Sequence, residues 1–244
     1  MKKSVVLSLF CVVLLTACNI SVNSSGWSLE PSGNIVKKEY KQTAFDKIDI
    51  DAAANVKIIQ STDSDYRVVL SAPENYVDIF NFEVNKHELN VEFKKTQMNI
   101  DVKNVDITIY VPHLHKLEND GIANIEIDSF RSDELKVEND GVGSMFLSAL
   151  QIAHLEVDCG GVGSMELSGE AERAELDCSG VGSIKAEKLK AKSVKARVSG
   201  VGGISCYASQ SIDGDVSGVG SLNYAGKPEQ KQLSRSGVGD IVEL

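Results

Sequence analysis

Between Phe45 and Pro112 apolar and polar residues alternate with a period of two. The runs KIDID (47–51), NVKII (55–59), YRVVL (66–70), ELNVEF (88–93) and VDITIYV (105–111) are rich in β-branched residues, and polar turns such as STDSD (61–65) and NKHE (85–88) separate them. Successive side chains on a strand point to opposite faces, so this pattern predicts half-buried strands in a short, antiparallel-looking β segment. Only NYVDIFNFEV (75–84) carries a pattern that a short helix could use.

From Leu114 onward the pattern becomes a repeat. One glycine motif recurs as DGVGSMF (140–146), GGVGSME (160–166), SGVGSIK (179–185), SGVGGIS (199–205), SGVGSLN (217–223) and SGVGDIV (236–242). The leading glycines are Gly121, Gly141, Gly161, Gly180, Gly200, Gly218 and Gly237, at steps of 20, 20, 19, 20, 18 and 19 residues. A period near 20 repeated this often is the signature of a solenoid in which each unit is one turn. Seven rungs stacked about 4.8 Å apart make a rod roughly 30 Å long.

Columns emerge when the units are aligned. Four residues before the glycine stand Leu117, Val137, Val157, Leu176, Ala196, Gly214 and Leu233. One residue after it stand Ile122, Val142, Val162, Val181, Val201, Val219 and Val238, and four after it Ile125, Met145, Met165, Ile184, Ile204, Leu222 and Ile241. All three columns are expected to face the core. Glu118, Glu138, Asp158, Asp177, Arg197, Asp215 and Ser234 are expected to face solvent. The motif is then a corner, whose glycines absorb a change of side-chain parity so that both Val142 and Met145 reach the interior. Arg235 and Glu243 fall in nominally inward columns of the final rung, where inward charge discourages end-to-end strand addition.

The N-terminus has a different character. Lys2 and Lys3 precede an apolar run, Ser4–Leu15, too short to span a bilayer comfortably, and Leu15-Thr16-Ala17-Cys18 follows it. This order resembles a bacterial lipoprotein signal: residues 1–17 are expected to be removed and Cys18 lipidated. Asn19 after the cysteine favours the outer membrane by the same resemblance. Acyl chains contribute about 0.8 kcal/mol per buried CH₂, enough to anchor the chain stably. Residues 18–40 are polar and rich in Ser, Asn and Gly, and are expected to form a flexible tether. Trp27, the single tryptophan, suits either an interfacial anchor or an early packing position. No other stretch is long and apolar enough to span a membrane.

Charge narrows the partners. The formal net charge is −10, and loss of Lys2 and Lys3 takes 25 basic side chains to 23 against 35 acidic, a net −12. Nucleic-acid binding needs clustered Lys and Arg, so that class is set aside.

Chemistry is sparse. None of the glycine motifs has the third glycine of a dinucleotide fingerprint or the Lys of a P-loop, and none opens a helix. The nearest approach to a Ca²⁺ site is an acidic stripe, Glu118, Asp120, Glu138, Asp140, Asp158 and Asp177, on adjacent rungs. Lys116 and Lys136 share its face, and the stripe reads as a solvated, partly compensated surface, with no metal site assigned. Cys159 and Cys178 occupy the same column on neighbouring rungs, where either a disulfide or two small core residues would fit. Cys206 has no evident partner. Asn119 and Asn139 begin the same column and are expected to form an amide ladder. His87, His113, His115 and His154 show no metal or catalytic spacing. No catalytic residue and no cofactor are expected.

Taken together, FDKIDIDAAANVKIIQS, YRVVLSAPENYVDIFNFEVNKHELNVEF, VDITIYVPHLHKLENDGIANIEI and the SGVGS rungs resemble the auto-transporter adhesin, head GIN domain family. The likeness runs from about Tyr40 to the C-terminus. It implies an all-β fold, a right-handed parallel β-helix-like solenoid forming one domain over 41–244, and an exported, lipid-anchored or surface-located bacterial protein. It brings no catalytic motif. The expectation is a lipid-anchored, non-enzymatic binding, adhesion or structural module of the envelope, whose partners beyond the membrane would be a surface glycan or an envelope protein. A polysaccharide-active β-helix enzyme and an envelope assembly factor are the alternatives. Enzyme sites on β-helices need long loops between rungs, for which 18–20 residues leave no room.

Overall fold

The computed structural model describes residues 27–62, 64–94 and 98–244. The expected signal peptide, Cys18 and the rest of 1–26 lie outside them.

Among the described residues the first half holds nine strands: β1 (Trp27–Leu29), β2 (Ile35–Lys41), β3 (Lys47–Asp51), β4 (Ala53–Gln60), β5 (Arg67–Pro73), β6 (Phe80–Asn85), β7 (Glu88–Phe93), β8 (Met98–Ile100) and β9 (Asp106–Val111). The pairs β2–β5, β5–β9 and β6–β7 are antiparallel, as the alternation implied. The ambiguous run at 75–84 divides between a 3₁₀ turn, Glu74–Ile79, and β6. Its Tyr76 is fully buried and donates its hydroxyl to the Leu29 carbonyl at 2.6 Å, tying β1 to the body. Residues 27–29 and 35–41 are therefore strands of the fold, and the tether expected over 18–40 does not extend through them.

The solenoid begins earlier than its first glycine. β3 and β4 lie parallel to and in register with the strands that follow, Ile48 against Leu117 and Asn55 against Asn124. The segment Asp51-Ala52-Ala53-Ala54-Asn55 thus forms the rung before Asp120-Gly121-Ile122-Ala123-Asn124. β7 and β9 stack parallel beneath β3 and β4, and β2, β5 and β6 close this end with antiparallel strands. A capped end satisfies a row of backbone groups that would otherwise invite another strand.

The rungs proper are β10 (Lys116–Asn119), β11 (Ile122–Ile127), β12 (Phe130–Asn139), β13 (Val142–Cys159), β14 (Val162–Cys178), β15 (Val181–Val198), β16 (Val201–Val216), β17 (Val219–Ala225), β18 (Gln230–Arg235) and β19 (Ile241–Glu243). Every pairing among them is parallel and unites like positions, such as Val142–Val162 and Met145–Met165. The glycine corner never slips. Differences in rung length are absorbed at the opposite bend, where Leu147 pairs with Leu167 but Leu150 pairs with Gly169. The result is a parallel β-solenoid of about 20 residues per rung, with inward columns such as Leu117–Val137–Val157–Leu176–Ala196, all buried.

The valine column corrects the expectation. Val142 is 48% exposed and the column reaches 74% at Val238, whereas Met145 is fully buried. Side-chain parity does not change at the corner: Leu135, Val137, Asn139, Gly141, Gly143, Met145 and Leu147 all take inward slots. The glycines fill the two inward slots at the bend, and the valine between them points out. Glycine is required there because rungs touch through their backbones. A Cβ on Gly141 would stand 2.2 Å from the Gly121 carbonyl oxygen. Gly163 adds a φ of 152°, which side chains rarely adopt. Ala52, buried in the corresponding slot of the first rung, stands where strand pairing with the layer beneath is interrupted, between Asp51–Glu92 and Asn55–Asp106.

At the far end Arg235 and Glu243 do occupy inward columns, opposite Val216 and Tyr224, but both are exposed because no rung covers them. Arg235 donates to the Gly239 carbonyl at 2.8 Å and to Asp240 at 3.0 Å. Glu243 accepts from Lys231 at 2.7 Å and from Tyr224 at 3.1 Å. The last core layer is thereby edged with charge.

Candidate functional site: the outward columns

Strand periodicity places Asp49, Glu118, Glu138, Asp158 and Asp177 in one outward column, stacked rung upon rung. Lysines interrupt the repulsion. Lys116 bridges Glu118 at 2.5 Å and Glu138 at 2.7 Å, and Lys136 bridges Glu138 at 2.9 Å and Glu156 at 2.8 Å. These partners hold Glu138 below the usual carboxylate range against the opposing pull of burial, and raise both lysines. Asp49 has no such help: burial first, then Asp120 and Glu118, push it up to about 6. Burial and neighbouring acids also raise Asp158, and burial raises Asp177 against the pull of Arg197. Glu118, Asp120 and Asp140 bring one carboxylate oxygen each within 4.8 Å of one another. Three such oxygens fall short of the six to eight that Ca²⁺ takes. The stripe is a half-neutralised surface ladder, to which the glycine motif contributes one carboxylate, that of Asp140.

Cys159 and Cys178 are direct neighbours across β13 and β14, both buried, and they and Cys206 are free thiols. In-register parallel strands keep Cβ atoms about as far apart as the strands, about 4.8 Å, beyond the ~3.8 Å typical of a disulfide. The thiol of Cys178 donates to the Gly182 carbonyl at 3.4 Å. A hydrogen bond to Cys178 and burial raise the Cys159 thiol far above its ordinary value, and burial pushes Cys206 up to about 12. Beside Cys159 in the same column, Asn119 donates its amide to Asn139 at 2.7 Å, and both are fully buried. This two-membered ladder is the one anticipated.

The histidines stay apart. His113 and His115 lie exposed in the link between β9 and β10 rather than on a strand, with His115 3.3 Å from Asp46. His154 stands between Glu134 and Arg173 in the rung stack. Neither cluster pairs a nucleophile with a base.

A column that the sequence patterns did not single out lies beyond the second bend. Arg131, Gln151, Glu170 and Lys190 align on successive rungs. With a floor including Ile152, Ala171 and Ala191 they line a shallow, open channel that ends at Tyr207. Arg131 donates to Gln151, and the Lys190 ammonium sits 3.9 Å from the Tyr207 ring centre. Its signal was the small residues Ala171 and Ala191, masked because rung length varies at this bend. Nearby, β14 presents acids to the bases of β15: Glu166–Lys185 at 2.8 Å, Glu172–Lys192 at 2.6 Å and Glu175–Lys195 at 3.4 Å. These pairs are exposed and screened by solvent, so the zipper favours correct register more than stability.

Stacked rungs without long insertions, a backbone-tight glycine corner and ordered outward columns define a parallel β-solenoid of the repeat class. The chain belongs to the family described as putative auto-transporter adhesin, head GIN domain, which matches residues 44–228. It is similar to the crystal structure of a putative adhesin from Bacteroides fragilis, with 35% identity and a TM-score of 0.85 over 88% of this chain and 100% of that one. A putative lipid binding protein from Parabacteroides distasonis shares the fold at 22% identity and a TM-score of 0.71, over 89% and 100% of the two chains. A putative adhesin from Parabacteroides merdae does so at 18% and 0.63, over 89% and 99%. No curated protein matches the chain.

Proposed function

We propose that this protein is a bacterial envelope module, anchored through lipidated Cys18, that binds its ligand through the outward columns and does not transform it. The observation that carries the reading is the registered array of polar side chains on rungs with no inserted loops. A column such as Arg131–Gln151–Glu170–Lys190 offers donors and acceptors at a fixed spacing, closing on an aromatic ring. That arrangement suits an extended polar polymer, such as a surface glycan, better than a small molecule held in a closed pocket. The family and the Bacteroides fragilis relative, both described as adhesins, support a surface or envelope role. Within the acidic stripe, Glu118 and Glu138 are bridged by lysines along the rod, which favours a surface ladder that binds over a pair of carboxylates set apart for catalysis.

A panel of neutral and uronate polysaccharides, read for both retention and degradation, tests this proposal. Retention of at least one glycan without turnover is the expected result; release of reducing ends would establish an enzyme instead. Retention of none, together with crosslinking to envelope proteins in intact cells, would transfer the role to protein assembly. For the anchor, labelled palmitate should enter the wild-type chain and be lost in Cys18→Ala.

A further inference from the structure

The inward column just before the glycine corner runs Ile50, Asn119, Asn139, Cys159, Cys178, Val198 and Val216. Ile50, Val198 and Val216 show that a plain apolar residue fills this slot. The amides of Asn119 and Asn139 answer each other, but packing alone does not call for sulfur on two consecutive rungs. Both sulfurs converge on one residue. The Cys178 thiol lies 3.4 Å from the Gly182 carbonyl, and a Cβ on Gly182 would stand 3.2 Å from the Cys159 sulfur. The Gly182 backbone, itself partly exposed, covers the pair at the corner.

Hydrogen-bond donors face the pair from both sides. Asn139, fully buried on the rung before Cys159, accepts from Asn119 through its amide oxygen and keeps its Nδ2 without a partner. The oxygen is turned back toward Asn119, which leaves the nitrogen on the side of Cys159. A buried donor of this kind calls for an acceptor. On the rung after Cys178, the backbone N–H of Gly203 faces the Cys178 sulfur.

We propose that Cys159 and Cys178 form a two-coordinate site for a soft monovalent cation of the copper(I) class, entered at the Gly182 corner. Thiolate sulfur selects such ions. A zinc–thiolate bond is about 2.3 Å, and two bonds of that order in line span roughly 4.6 Å. Stacked rungs hold parallel side chains about 4.8 Å apart, too far for a disulfide but matched to sulfur–metal–sulfur. Zinc itself does not suit the pair, because it takes four ligands. Among the described residues no cluster of three or more His, Cys, Asp and Glu includes either sulfur. As the ion enters, each thiol gives its proton to solvent while its sulfur–metal bond forms. One cation displaces two protons, no electron moves, and the bound unit carries one negative charge. The Asn139 Nδ2 and the Gly203 N–H then donate to the two thiolates.

The full chain, purified in detergent, reduced and kept anaerobic, provides the test by copper(I) titration against bathocuproine disulfonate. Wild type should hold one ion more than the chain carrying both Cys159→Val and Cys178→Val. Either substitution alone should lose that ion, and Cys206→Ala should keep it; the remaining thiols are common to all chains and set the background. Valine already fills this slot at Val198 and Val216, so the variants should keep the far-UV spectrum and one cooperative transition. X-ray absorption at copper should show two sulfurs and no nitrogen. Removing both amides together, as Asn119→Val with Asn139→Val, should weaken copper(I) at least tenfold without loss of fold. A wild type that holds no more copper(I) than the double cysteine variant would overturn the proposal, as would a single cysteine variant that keeps the ion or an ion lost with Cys206→Ala. So would recovery of the chain from cells with Cys159 and Cys178 joined as a disulfide.

Discussion

Gly163 lies directly over Gly143, so close that a Cβ on Gly163 would stand 1.8 Å from the Gly143 carbonyl oxygen. Backbone cannot retreat from that contact as a side-chain tip can. Gly163→Ala should therefore cost ~3 kcal/mol or more, the clash adding to the strain of a positive φ. Gly33→Ala, with nothing within 4 Å, should stay within about 0.5 kcal/mol of wild type. Urea unfolding of the two variants measures the contrast.

The Asn119–Asn139 pair supports a prediction of opposite form. Replacing one member with valine leaves the other amide buried without its partner, at a cost of ~1–3 kcal/mol. Replacing both gives a column that runs Ile50, Val, Val, Cys159, and should recover most of that loss. A double-mutant cycle in denaturant checks it; additive losses would mean that the amides have other partners.

Asp49 makes stability depend on pH in an unusual direction for a carboxyl. Its folded pKa, about 6, lies above its ordinary value of 3.8, so the folded state binds the proton more tightly. The stabilisation is present below about pH 4, fades as pH rises through 6, and is absent above. Asp49→Asn should consequently raise the melting temperature near pH 7.5 and leave it unchanged near pH 4. The gain should be on the order of 1 kcal/mol once solvent screening is allowed for. Equal effects at both pH values would contradict the buried, acid-crowded setting described for this side chain.

Much of this architecture is legible in the sequence, and the misreadings share a cause. The 20-residue period, the inward columns at Leu117 and Ile125 and the outward acids all emerge because backbone stacking forces like residues onto like. The valines were misplaced because apolarity was weighed above parity: counting by twos from Val137 reaches Gly141, Gly143 and Met145, and leaves Val142 outside. The rung at Asp51–Asn55 lies outside the glycine pattern because Ala52 stands where later rungs have glycine, at a point where pairing with the layer beneath is interrupted. Residues 35–41 looked like tether because a composition rich in Lys and Glu conceals the alternation of Ile35, Lys37, Glu39 and Lys41 with Val36, Lys38 and Tyr40. The channel ending at Tyr207 depends on a bend whose register shifts, so no fixed period reveals it.

If the glycine motif is scaffold, one whole rung should be dispensable. Deleting residues 161–179 joins Gly160 to Gly180 and sets β13 beneath β15. Met145 then lies under Ile184 and Glu156 faces Lys195, so both core and charge remain matched. Circular dichroism and urea unfolding of this chain should show undiminished strand signal per residue and one cooperative transition, at slightly lower stability, as nearest-neighbour stacking requires. An unfolded or aggregated product would contradict the claim that each rung is an interchangeable turn of one rod.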